Sequence, residues 1–137
     1  MQFSDVLAFI RQHPVCTLAT MDGDQPRARG FFSLLFDDDA IYFTTGSPKD
    51  VYTQLEKNRK VELCYLSPSF RMLRVTGIVE IVDDRAKKEQ LIREKSYLKG
   101  FTADDPRFIL LRLSHGSARF WTLADNMRER QLDEITF

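Results

Sequence analysis

The stretch Val15-Cys16-Thr17-Leu18-Ala19-Thr20-Met21, then Asp22-Gly23-Asp24-Gln25-Pro26, then Arg27-Ala28-Arg29-Gly30-Phe31-Phe32-Ser33-Leu34-Leu35-Phe36, decides the fold. Two strand-forming runs flank a cluster of turn formers, the signature of an antiparallel hairpin. Val15–Met21 is the first expected strand and Arg27–Phe36 the second. Successive strand side chains point to opposite faces. Ala28, Gly30, Phe32, Leu34 and Phe36 therefore share an apolar face, expected to line the interior. Arg27, Arg29, Phe31 and Ser33 share the other.

Working outward, Val6, Leu7, Phe9 and Ile10 make an amphipathic helix that Ser4 is expected to cap and Pro14 ends. Asp37-Asp38-Asp39 is a second turn, and Ala40–Thr45 a third strand. Ser47-Pro48-Lys49-Asp50 reads as a helix start, with Ser47 as cap and Pro48 at the first helical position. That helix frays near Asn58. Val61–Ser67 and Phe70–Val82 are strands around a Ser67-Pro68-Ser69 turn. Gly77 in the second of these marks a bulge or a close backbone approach. Arg85–Tyr97 is a charged helix and Lys99–Pro106 a loop. Ile109–Ser114 and Ala118–Leu123 are the last main strands, and Asp133–Phe137 adds a short one. The expected fold is mainly β with peripheral helices. About six or seven strands, largely antiparallel, curl into a barrel that hides its edges.

The 137 residues suit one domain, 1–137, without repeats or linkers. Lys plus Arg and Asp plus Glu are 20 each, so no global field attracts nucleic acid or an anionic membrane. No apolar run is long enough to span a bilayer, and Met1–Gln12 does not read as a signal peptide. Cys16 and Cys64 sit in apolar strands without metal-ligand spacing, so they read as free thiols, and the cytoplasm is the expected compartment. Eleven Phe residues suggest an aromatic core, a site for a flat ligand, or both.

Three features point to an anion and a flat ring. Arg27, Arg29 and Phe31 place two guanidinium groups beside an aromatic ring, and arginine favours planar contact with phosphate. Thr44-Thr45-Gly46-Ser47-Pro48-Lys49 offers hydroxyls, a helix N-terminus and a cation, which together suit an anion. It lacks the Walker spacing, which counts against a nucleotide triphosphatase. Arg119-Phe120-Trp121 carries the only Trp near a strand end, with Arg128 and Arg130 beyond it. Taken singly, each feature also fits an ordinary surface or core. His13 reads as a helix-end cap and His115 as a turn residue. No metal set and no Ser-His-Asp arrangement stands out by spacing.

The order of these pieces resembles the small pyridoxamine 5′-phosphate oxidase-like flavoproteins. The matching runs are Leu18 through Phe31, Ile41-Tyr42-Phe43-Thr44-Thr45, Lys49, Gln54-Leu55-Glu56-Lys57-Asn58, Val61-Glu62-Leu63-Cys64, and Leu73-Arg74-Val75-Thr76-Gly77 with Glu80. The resemblance covers nearly the whole chain. It implies an FMN-binding split β-barrel and a homodimer with FMN at the subunit interface. It implies that Arg29, with Arg27 beside it, reaches the FMN phosphate, and that Gly30 and Phe31 run beside the ring. It also implies that Thr44 and Thr45 line the ribityl and phosphate end, where Ser47 and Lys49 complete the grip. Gln54 matches a motif position, and Met72 and Trp121 match positions that approach the ring from the partner chain.

The true oxidases continue into a C-terminal region whose basic residues bind pyridoxal phosphate. This sequence ends Asp133-Glu134-Ile135-Thr136-Phe137, and Arg128 and Arg130 stand outside any matching motif. The expected function is an FMN-dependent oxidoreductase moving electrons between a donor such as NAD(P)H and a small organic acceptor. The alternative is a non-catalytic FMN- or haem-binding carrier or sensor. No catalytic residue is assigned.

Overall fold

The computed structural model describes all 137 residues. The first helix, α1, spans Phe3–Gln12 and buries Val6, Leu7, Phe9 and Ile10. Its cap is Gln2 rather than Ser4. The Gln2 backbone N–H donates to Asp5 Oδ2 at 2.6 Å, which starts the helix two residues earlier than the Ser4 reading requires. Strand β1 (Val15–Asp22) turns at Gly23, whose φ of 62° suits glycine, into β2 (Gln25–Phe32).

The hairpin forms as expected, but β2 presents the opposite face to the core. Ala28, Gly30 and Phe32 are exposed, whereas Arg29 and Phe31 are half-buried and Ser33 is buried. The register explains the reversal. Cys16, Leu18 and Thr20 of β1 are buried, and they stand opposite Phe31, Arg29 and Arg27. The strong alternation of β1 dictates which side of β2 faces in, because paired residues share a face. Beyond Phe32 the chain leaves this sheet. Leu34 is buried in a separate apolar cluster, where it forms a bridge with Tyr42, and Phe36 packs edge-on to Tyr42.

Strand β3 (Ile41–Gly46) is followed by α2 (Asp50–Lys57), which buries Val51, Gln54 and Leu55. Ser47 and Pro48 form a turn before the helix instead of capping it. Lys49 is the N-cap, with no side-chain hydrogen bond to the helix. Strand β4 (Lys60–Leu66) pairs with β5 (Met72–Ile78), and β6 (Glu80–Val82) follows after a break at Val79. The single long strand expected over Phe70–Val82 is thus two, because the chain crosses between sheets there. The Val79 N–H is taken by Arg59 O, outside either ladder. Gly77 marks the close approach. A Cβ at this position would meet Leu113 Cδ1 at 2.5 Å and His115 O at 2.7 Å.

Helix α3 (Arg85–Glu94) ends three residues before Tyr97, and a separate 3-10 turn covers Ser96–Leu98. Strands β7 (Phe108–Leu113), β8 (Gly116–Trp121) and β9 (Ile135–Thr136) complete the chain.

Six strands form one antiparallel sheet in the order β2-β1-β4-β5-β8-β9, and three form a second in the order β3-β7-β6. The two sheets enclose the main core around Ile10, Leu18, Phe43, Leu63, Tyr65 and Leu111. A smaller cluster (Leu34, Ala40, Tyr42, Leu91, Leu98, Phe108 and Leu110) fills the space beneath α3. This is a split β-barrel. The count of nine strands exceeds the expected six or seven because of the break at Val79 and the short tail strand. No helix is long and apolar enough to cross a membrane.

Candidate functional site

Arg29 is the centre of the site. Its Nη1 donates to Thr20 Oγ1 at 2.7 Å and to Leu18 O at 3.2 Å, and its Nη2 donates to Gln54 Oε1 at 2.8 Å. Thr20 Oγ1 in turn donates to the same Gln54 oxygen at 2.6 Å. Thr20 and Gln54 are both buried. Every partner of the guanidinium is neutral, and it forms no ion pair with a carboxylate. Burial lowers its pKa from the usual arginine value, and the like charge of Arg27 adds to that. An arginine side chain stays protonated under such a shift, so the site holds an uncompensated positive charge.

That charge borders a cavity of about 1110 Å³ between the β1–β2 hairpin and α2, lined among others by Arg27, Ala28, Asp50, Val51, Thr53 and Lys57. Arg27 faces it while paired with Asp22. A second cleft of about 450 Å³ includes Lys49, the chain neighbour of Asp50 in the first. Phe31, Phe32, Thr44, Thr45, Lys49 and Arg107 line it, with Tyr97, Phe101 and Phe108. The Thr45 Oγ1 is buried with no hydrogen-bond partner, an expense that proteins seldom leave unmet. Lys49 is exposed and forms no ion pair.

The structure therefore gathers Arg27, Arg29 and Gln54 at one cavity, and Phe31, Thr44, Thr45 and Lys49 at its neighbour. Ser47 lines neither. Its backbone N–H donates to Arg107 O at 3.1 Å, so it serves the turn. Gly30 faces outward, and a Cβ there would meet nothing within 4 Å. Met72 and Trp121 are cross-strand partners at one end of β5 and β8, on the same outward face as Phe32 and Val15. They touch neither cavity within one chain.

Sequence reasoning missed Thr20, Lys57, Tyr97, Phe101 and Arg107. Thr20 carried a usable signal, as a polar residue on the apolar face of β1 after Cys16 and Leu18. The aromatic loop residues carried none, because nothing local says which way a loop folds back.

The barrel thus carries a guanidinium held only by neutral groups, a buried hydroxyl without a partner, and a cleft beside each. The pyridoxamine 5′-phosphate oxidase family model matches residues 4–122, and the chain belongs to that family. Among solved structures, a NimC/NimA family protein from Clostridium acetobutylicum is similar, with TM-score 0.81 and 26% identity over 98% of this chain and 93% of that one. A pyridoxamine 5′-phosphate oxidase-related, FMN binding protein from Nostoc punctiforme has TM-score 0.65 and 14% identity, covering 98% and 95% of the two chains. A heme binding protein from Mycobacterium smegmatis has TM-score 0.76 and 15% identity, covering 98% of this chain and 57% of that one. The last two likenesses are of fold alone. No curated protein sequence matches the chain.

Proposed function

We propose that this chain is an FMN-binding oxidoreductase that moves electrons between a reduced donor such as NAD(P)H and a small organic acceptor. The observation that carries the reading is the half-buried Arg29 guanidinium, held only by neutral groups at the edge of a cavity of about 1110 Å³. A phosphate supplies the missing negative charge, and arginine meets it with two parallel hydrogen bonds. Arg27 adds charge beside it. Lys49 and Thr44 hold the polar end of the ligand in the adjoining cleft, where Thr45 Oγ1 still lacks a partner. Phe31 and Phe32 offer flat apolar surface to a ring. The flavin, when bound, supplies the two-electron chemistry, and the protein contributes binding, orientation and exclusion of water.

The outward face of the six-stranded sheet supports a homodimer. Val15 is 62% exposed, Phe32 47% and Leu66 47%, and Met72 and Trp121 continue the same row. Small residues (Thr17, Ala19, Ala28 and Gly30) occupy the middle of the face between β1 and β2. An exposed apolar row beside such small residues suits a second copy. Met72 and Trp121 then approach the ring held by the partner. The two unbridged cysteines support the cytoplasm as compartment.

The test is an FMN titration of the wild type and Arg29→Ala, followed by addition of NADH or NADPH to the loaded protein. Loss of charge-assisted hydrogen bonds at this strength weakens FMN binding by roughly 10- to 100-fold. Unchanged affinity in Arg29→Ala removes the phosphate assignment. FMN that stays oxidised under every donor assigns a carrier or sensor role, and a Soret band after haem addition without flavin binding assigns haem.

A further inference from the structure

Arg71, far from Arg29 in the sheet order, also makes no ion pair, and two aromatic rings hold it in place. Arg71 follows the Ser67–Phe70 turn and leads into β5. Its guanidinium carbon lies 4.3 Å from the centre of the Phe120 ring and 5.5 Å from that of Phe9. Its backbone N–H donates to Ser67 Oγ, but its guanidinium makes no hydrogen bond and no ion pair. Stacking engages the π faces of the group and leaves its five N–H donors free in the plane. The rings thus hold a planar cation with its hydrogen-bonding edge unused.

Arg71 borders a cavity of about 330 Å³ whose wall also includes Arg128, Thr122 and Gln131. One of the two carboxylates on the wall is already engaged. Asp125 accepts from the Thr122 N–H at 2.9 Å, from Thr122 Oγ1 at 3.0 Å and from Arg128 at 3.2 Å. Asp133, on the same wall, is exposed and pairs with neither arginine. The backbone adds an independent observation. Phe70 at φ 65° and Met127 at φ 69° are the non-glycine residues with positive φ, and each directly precedes one of these arginines. Strained backbone of this kind persists where surrounding structure holds it, often at ligand sites.

We propose that this cavity is a second ligand site, which takes the oxyanion of a small molecule, a carboxylate or a phosphate, on the free edge of Arg71 with Arg128 alongside. Arg71 is the anchor because its orientation is set before the ligand arrives. Arg128 is shared with Asp125 and contributes less. The site does not depend on the flavin reading, since no residue is common to the two.

The experiment follows the arginine Nε–Hε resonances of the full-length protein by NMR. Inorganic phosphate and succinate are added separately at constant ionic strength. A saturable shift of the Arg71 resonance with phosphate alone assigns a phosphate ligand, with succinate alone a carboxylate, and with both an oxyanion site open to either. Arg71→Gln is expected to weaken the response of the neighbouring amides by about tenfold or more, and Arg128→Gln by less. Should Arg71→Gln fail to fold, the wild-type Arg71 shift and the Arg128→Gln variant still decide. No saturable Arg71 shift with either probe overturns the proposal, as does a response that both variants keep in full. Arg29→Ala is expected to retain the Arg71 response whatever its flavin affinity, which separates failure here from failure of the flavin reading.

Discussion

Gln54 of α2 and Arg29 of β2 share one hydrogen bond, Nη2 to Oε1 at 2.8 Å, which ties the helix to the hairpin and leaves the guanidinium charge unopposed. Thr20 closes the triangle from β1. Three elements thus meet at one neutral acceptor, and the positive charge they hold faces the cavity.

Replacing that acceptor separates stability from ligand affinity. Gln54→Leu leaves a buried hydroxyl and a half-buried guanidinium without their shared partner. The expected cost is about 1–3 kcal/mol in urea unfolding. Gln54→Glu keeps the hydrogen bonds and cancels the charge of Arg29. It is expected to stay folded and to lose FMN affinity by roughly tenfold or more, because the new carboxylate competes with phosphate for the same group. Full affinity in Gln54→Glu argues against phosphate at Arg29.

Glycine substitutions report on sheet contacts. Gly116 faces Gly77 across β5 and β8, and a Cβ on Gly116 would collide with the backbone oxygen of Thr76. Gly116→Ala is expected to lower stability by about 1–3 kcal/mol, as overpacking does. Gly30→Ala meets open space in the single chain. It is expected to change the unfolding midpoint of the monomer little, while weakening self-association if the outward face carries the dimer. Urea unfolding at several protein concentrations distinguishes the two effects.

Acid acts on the loop that positions Arg107. Asp105 hydrogen-bonds the Arg107 side chain and backbone, and these contacts pull its pKa down from 3.8 to about 2. The folded value lies below the unfolded one. The stabilisation is therefore complete above about pH 4 and is lost as the pH falls through about 2. The urea midpoint of Asp105→Asn is expected to vary less than that of the wild type across this window. A carboxyl resonance of Asp105 titrating near its ordinary value contradicts the assignment.

The two thiols differ in reach. Cys16 is buried beside Ser33, and Tyr65 completes the polar group through its 2.6 Å hydrogen bond to Ser33. Burial pushes the Cys16 thiol up, and pushes Cys64 up as well. Cys64 is half-buried on the outward face between Thr17 and Arg74. Alkylation at mildly alkaline pH is expected to label Cys64 first and Cys16 only on unfolding. A dimer formed through this face protects Cys64 as protein concentration rises. Labelling independent of concentration argues against that interface.

Local pattern made much of the fold legible. The hairpin at Asp22–Gln25, the helices, the gap between β4 and β5 and the short tail strand all follow from periodicity, turn formers and prolines. The inward face of β2 was not legible. Its own residues read apolar on one side, and only pairing with β1 showed that Arg29 and Phe31 face in. The break at Val79 escaped for a related reason, since Ile78 to Val82 is continuous β-prone sequence. The residues proposed for the anion end of the site were visible as residue types. Ser47 misled, because a serine before a proline suits a cap as well as a turn.

By itself the sequence determined the antiparallel barrel and the presence of arginines, threonines and aromatics near its second and third strands, because alternation and turn chemistry act between neighbours. Only the tertiary structure decided that Arg29 meets neutral partners alone at the wall of a cavity. That depends on Thr20, Gln54 and Arg29 meeting from three separate elements, and on the carboxylates elsewhere being engaged or out of reach. Electrostatic balance at a point is a sum over space, and chain order does not contain it.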